Sequence, residues 1–91
     1  MASFEILWKN SAEHDLRKID RQYIPQILNA IEGLSENPFP TACRKLRGSE
    51  SSYRIRIGDH RVIYQVDSRS KRVIVYHVRH RREAYRRGRG K

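Results

Sequence analysis

The chain has 91 residues, enough for one small domain around a single core. Its 20 Lys and Arg outnumber 10 Asp and Glu, a formal charge of +10, which points to nucleic acid or an acidic protein as partner. With 37% hydrophobic residues it has little core to spare for a large internal cavity, so a surface groove is expected. The lone cysteine, Cys43, excludes an internal disulfide and fits a reducing cytoplasm. No apolar run approaches a membrane span, and Met1–Glu5 lacks the charged start of a signal peptide. The basic stretch also lacks the wide apolar face of an interfacial helix, so no membrane partner is expected.

In chain order, Phe4–Lys9 reads as a first strand. Asn10 or Ser11 is placed to cap a following helix, with Glu13 and Asp15 favourable near its positive end. Ala12, Leu16 and Ile19 fall at helical spacing along it. Pro25 must lie in the first turn of a second helix, whose apolar stripe is Ile24, Ile27, Leu28, Ile31 and Leu34. Asn37-Pro38-Phe39-Pro40 stops that helix. Residues 41–51 read as a polar, basic connection. Three strands follow, at about 52–57, 61–67 and 72–79, joined by short turns at Gly58-Asp59-His60 and Asp67–Lys71. Short turns make these three strands antiparallel neighbours. Residues 80–87 can form a helical turn, and 88–91 read as a flexible basic tail on a single domain spanning 1–87.

The expected fold is therefore α+β, in the order β-α-α-β-β-β with a short final helix. It has an antiparallel sheet and two N-terminal helices packed on one face. Charge divides along the chain: residues 1–43 carry −2 and residues 44–91 carry +12. Strand alternation sets Tyr53, Ile55 and Ile57 on one side and Arg54 and Arg56 on the other. On the next strand, Val62, Tyr64 and Val66 oppose Arg61, Ile63 and Gln65. If the apolar set lies under the helices, Arg54, Arg56 and Arg61 project together from the open face. Fixed guanidinium forks on such a face suit a phosphate-bearing polyanion. The plainer reading of each arginine is the solvated side of an amphipathic strand. His60 reads as a turn residue, His14 as solvent-facing, and Tyr53 and Tyr64 as core. The four His and one Cys show no metal-ligand spacing, and no phosphate loop or nucleophilic triad appears, so no metal and no cofactor are expected.

Leu46-Arg47-Gly48, the run Tyr53-Arg54-Ile55-Arg56-Ile57-Gly58-Asp59-His60-Arg61-Val62-Ile63-Tyr64, and His80-Arg81-Arg82-Glu83-Ala84-Tyr85 resemble the RelE/ParE superfamily of type II toxin–antitoxin toxins. The likeness covers nearly the whole chain, including the helical hairpin ending in Glu36-Asn37-Pro38. The superfamily holds both ribosome-dependent mRNA endonucleases (RelE-like) and gyrase poisons (ParE-like).

The RelE-like resemblance implies a toxin that enters the ribosomal A site and cuts the codon there. The ribose 2′-hydroxyl attacks the adjacent phosphate, leaving a cyclic phosphate and a 5′-hydroxyl. It implies the 70S ribosome and mRNA as partners, and a cognate antitoxin, acidic and partly disordered. Operator DNA would be met only indirectly, through that antitoxin. By position, Arg54 and Arg56 match the basic pair of the second strand, and Arg61 the basic residue opening the third. Arg81 and Tyr85 match the arginine and tyrosine that follow the last strand.

Characterised RelE-like enzymes can carry lysines where this chain has Arg54 and Arg56. Lysine can act as a base, but arginine holds its proton. Either proton transfer then falls to Tyr85, His80 or His77, in that order of family support, or the reaction relies on electrostatics and positioning; His80 joins the candidate catalytic set. The other basic residues of the second half, Arg44, Lys45, Arg47, Arg79, Arg82, Arg86 and Arg87, are expected to bind RNA through its phosphates. A ParE-like gyrase poison and a non-catalytic RNA-binding module remain the rival readings.

Overall fold

In chain order the molecule runs β1 (Glu5–Trp8), α1 (Asn10–Arg17), a 3₁₀ turn (Arg21–Tyr23), α2 (Ile24–Gly33), β2 (Arg44–Lys45), β3 (Ser52–Ile57), β4 (His60–Asp67) and β5 (Arg72–His80). The structure is a computed structural model that describes residues 3–80. The strands form one sheet in the order β1-β5-β4-β3-β2. This is an α+β fold with both helices on one face of the sheet.

Helix α2 follows its sequence pattern closely. Pro25 lies in the first turn, where its missing N–H costs no hydrogen bond. Ile27, Ile31 and Leu34 are buried against Ile55, Ile57, Val62 and Tyr64 of the sheet. Burying each such side chain contributes about 1.5–3 kcal/mol. Helix α1 departs from its pattern at the start. Neither Asn10 nor Ser11 caps it; Lys9 flanks the first turn with no side-chain cap. The Ser11 hydroxyl donates to the carbonyl of Tyr76 instead, at 2.6 Å. Asp15 likewise turns away from its own helix.

The three later strands are antiparallel neighbours, as expected. Gly58 takes φ +60° in the tight β3–β4 turn, a conformation that a side chain would strain. The sheet as a whole is mixed, because β1 runs parallel to β5 and pairs Glu5 with Arg72 through Trp8 with Val75. A two-residue strand, β2, lies within the expected connection and pairs Arg44 with Arg54 and Lys45 with Tyr53. Two residues carry no readable period, so pattern alone did not mark it.

A bulge in β5 decides the faces of its second half. Ile63 opposes His77 while Tyr64 opposes Val75, which leaves Tyr76 as the extra residue. Before the bulge, Val73 and Val75 face the helices. After it, the alternation is inverted: Val78 is buried on the helical side and His77 and Arg79 stand on the open side. His80 shares the helical side with its cross-strand partner His60.

Beyond Trp8, no described strand continues along the β1 side of β5, and the approach to α1 supplies the partners on that side. Lys9 donates its N–H to the carbonyl of Val75, Ser11 donates to that of Tyr76, and the Asp15 carboxylate accepts from the Val78 N–H. One backbone N–H and two side chains thus complete an edge that would otherwise leave backbone groups unpaired.

Candidate functional site

Cross-strand pairing gathers the arginines into two rows on the open face. Arg56 opposes Arg61, which opposes Arg79. Arg44 opposes Arg54, which opposes Ile63, which opposes His77. Residues directly opposite on antiparallel strands sit about 4.5–5.5 Å apart at Cβ, so each row is continuous. Arg44, Arg54, Arg56 and Arg61, with Ala42, line a groove of about 380 Å³.

Like charges directly opposite one another destabilise a sheet. Here Arg56, Arg61 and Arg79 form an unbroken cationic row. Among the described residues the Arg or Lys ion pairs are Arg72 with Glu5 and Arg79 with Asp15. No described carboxylate neutralises Arg44, Arg54, Arg56 or Arg61. A polyanion laid in the groove relieves this repulsion, and the arginines would be placed before it arrives.

Asp15 organises one flank of the face. Its Oδ2 accepts from the Val78 backbone N–H at 3.0 Å and from Arg79 Nε at 3.3 Å, and lies 3.2 Å from His77 Nδ1. Burial alone would raise the carboxyl. The hydrogen bonds from Val78, His77 and Arg79, with the Arg79 charge, outweigh it and hold Asp15 below its usual range. Arg79 Nη2 also lies 3.1 Å from His77 Nδ1.

Of the sequence-predicted residues, Arg54, Arg56 and Arg61 come together as expected, and Arg44 and Arg79 join them. Lys45 pairs with Tyr53, whose ring packs with Phe39 and Tyr64, so it belongs to the helical side of the sheet edge. Arg47 is exposed in the β2–β3 turn, at the end of the strands away from Arg56. His80 is not on the arginine face. Its ring meets that of His60 at 5.1 Å, and His60 meets Tyr23 at 5.3 Å, on the helical side. His60 itself opens β4 and is buried at 4% exposure, so it is more than the turn residue its sequence suggested. Arg81, Arg82, Tyr85, Arg86 and Arg87 lie outside the described residues.

Sequence reasoning missed the role of Asp15. Val78, whose N–H it accepts, lies 63 residues further along the chain, and no local motif announces a contact of that range. A larger cavity, about 670 Å³, lies between β1 and α2 and is rimmed by Glu32 and Glu36. It contains no basic side chain, so it does not suit phosphate.

Comparison with known proteins identifies the family and the fold. The family model for the ParE toxin of the type II toxin–antitoxin system parDE matches residues 6–85. A curated relative from Methanocaldococcus jannaschii, named as a toxin RelE1, is 32% identical over 74 residues, covering 78% of this chain and 82% of its own. The E. coli toxin RelE, solved as a mutant in complex with an antitoxin RelB peptide, superposes with TM-score 0.77 at 26% identity, over 97% of this chain and 95% of that one. The RelB–RelE antitoxin–toxin complex from Methanococcus jannaschii gives TM-score 0.73 at 25% identity, over 87% and 94%. The chain belongs to the RelE/ParE superfamily of type II toxin–antitoxin toxins.

Proposed function

We propose that this toxin is a ribosome-dependent mRNA endonuclease of the RelE-like kind. The observation that carries this reading is the meeting of Arg54, Arg56 and Arg61 in one groove on the uncovered side of the sheet. In-line attack of a 2′-hydroxyl on phosphorus builds charge on the phosphorane oxygens. Arginines already held in a row stabilise that charge without reorganising. Arg61, central in its row, is assigned to the scissile phosphate, with Arg81 as the second such group by family position. Arg54, Arg56 and Arg44 hold the flanking backbone.

The 70S ribosome supplies the A-site codon, and ribosomal RNA is a further target for the basic surface. A cognate antitoxin is proposed to silence the toxin by covering the arginine face. Its segment would be acidic and would order on binding, with charge complementarity speeding the encounter. The support comes from RelE relatives solved with their RelB antitoxins. Contact with operator DNA would then pass through the antitoxin. The protein is assigned to the cytoplasm, where ribosomes are.

A ParE-like gyrase poison is the second reading, favoured by the family model, which is named for ParE. The residues at 54, 56 and 61 weigh against it, since a cationic groove fits a sugar–phosphate chain. Adding the protein to translating ribosomes and mapping message ends separates the two. Cuts inside A-site codons, lost with Arg61→Ala, support the nuclease. Intact message with accumulated gyrase–DNA cleavage complexes supports the poison and sinks the nuclease.

A further inference from the structure

Arginine holds charge but does not surrender its proton at ordinary pH, so the groove needs another group to accept the 2′-hydroxyl proton. The imidazole standing on the open face is His77. It opposes Ile63 on β4 and lies diagonally from Arg61, which opposes Arg79 two residues on. Such diagonal positions are about 7–8 Å apart, within reach of long side chains. The bulge at Tyr76 is what brings His77 to this side.

Its Nδ1 faces two groups, Asp15 Oδ2 at 3.2 Å and Arg79 Nη2 at 3.1 Å. One ring nitrogen cannot serve both. It either donates to the carboxylate or accepts from the guanidinium. If Nδ1 were an acceptor, its lone pair would face an anionic oxygen. Arg79 keeps its charge-assisted bond to the same carboxylate through Nε and has other N–H donors besides the one near Nδ1. Asp15 is itself fixed by the Val78 backbone, so its position does not depend on the histidine. The carboxylate therefore selects the tautomer that carries hydrogen on Nδ1, and Nε2 is left with its lone pair.

We propose that Asp15 and His77 form a carboxylate–imidazole pair, with His77 Nε2 the base that takes the ribose 2′-hydroxyl proton. This rests on the nuclease reading and names the proton acceptor within it. As the proton moves to Nε2, the 2′ oxygen forms a bond to phosphorus. The bond from phosphorus to the 5′ oxygen breaks, and its electron pair leaves with that oxygen, which takes a proton from water. The products are a 2′,3′-cyclic phosphate and a 5′-hydroxyl, and the imidazolium returns its proton to solvent. His77 is catalytic in this scheme. Asp15 is a positioning residue that fixes the tautomer and steadies the imidazolium against the charges of Arg79 and Arg61.

The test is single-turnover cleavage of message on programmed ribosomes across pH, together with long-range ¹H–¹⁵N spectra of the imidazoles. The native toxin should cleave faster as pH rises through one ionisation. His77→Gln should slow it by about 100-fold or more and abolish that ionisation. Asp15→Asn should slow cleavage and alter its pH profile. The spectra should place the hydrogen of neutral His77 on Nδ1. Native cleavage with His77→Gln within about threefold and an unchanged pH profile overturns the pair while leaving the nuclease intact. Hydrogen on Nε2 overturns it too, whatever the activity. No cleavage by the native toxin removes the nuclease reading, and the base with it.

Discussion

The Asp15 carboxylate lies 3.0 Å from the backbone nitrogen of Val78, where a neighbouring strand would otherwise supply a carbonyl. A side chain from α1 thus finishes the edge of β5 and, through the same oxygen, holds Arg79. Asp15→Ala leaves that N–H and guanidinium without their acceptor and should cost about 2 kcal/mol in urea unfolding. The sign of its pH dependence follows from its lowered pKa. A carboxyl lowered on folding stabilises the fold above its unfolded value, about 3.9, and that contribution is lost as pH falls through the native value. The gap between the native protein and Asp15→Ala should therefore close in acid. A gap that stays constant from about pH 7 to about pH 2 would contradict the assignment.

Arg56, Arg61 and Arg79 oppose one another across three strands. Removing the central charge should relieve repulsion. Arg61→Gln is expected to raise the melting temperature slightly in low salt, and the gain should vanish in about 1 M NaCl, where charges are screened within about 3 Å. Thermal scans at two salt concentrations check this. A variant less stable than the native protein in low salt would mean that Arg61 serves the fold more than the substrate.

Tyr64 is fully buried and donates its hydroxyl to the Pro38 carbonyl at 2.8 Å. That bond ties β4 to the segment that ends the helical hairpin. Burial, with Cys43 beside it, pushes the phenol well above its usual range. A group raised on folding stabilises below its unfolded value, about 10, and the protein should lose stability as pH rises beyond it. Tyrosinate absorbance from Tyr64 should appear only as the protein unfolds. Tyr64→Phe should cost about 1–2 kcal/mol, because the carbonyl is left unpaired in the core. Ionisation of every tyrosine in the still-folded protein would contradict this placement.

His80 and His77 stand on opposite sides of the sheet, and this separates two candidates of which the sequence reading puts His80 first. His80→Gln should leave cleavage within about threefold of native while lowering stability, because its ring packs on His60 behind the sheet. Cleavage rates and melting temperatures of that one variant decide the matter. A large loss of activity in a fully stable protein would return His80 to the catalytic set.

These placements show where the sequence was legible. The stripe of α2, the tight turn at Gly58 and the alternation of Ile55, Ile57, Arg54 and Arg56 are local patterns. Each held because one side of each element is buried. The rest depended on contacts remote in sequence. β1 joins β5 in parallel, a pairing that no hairpin announces. β2 is too short to show a period. Strict alternation from Val73 and Val75 would send His77 and Arg79 inward and Val78 and His80 outward. The extra residue at Tyr76 reverses this, and nothing in the run Val73–His80 marks where it falls. Ser11 and Asp15 look like helix-start residues and serve β5 instead.

The arginine face as a cutting centre for RNA is tested most directly by the chemistry of the ends it leaves. Message recovered from ribosomes after exposure to the native toxin should carry a 2′,3′-cyclic phosphate upstream of each break and a 5′-hydroxyl downstream. Arg61→Ala should reduce such ends by about 100-fold or more. Breaks that carry 5′-phosphates, or identical cleavage by Arg61→Ala, would contradict it.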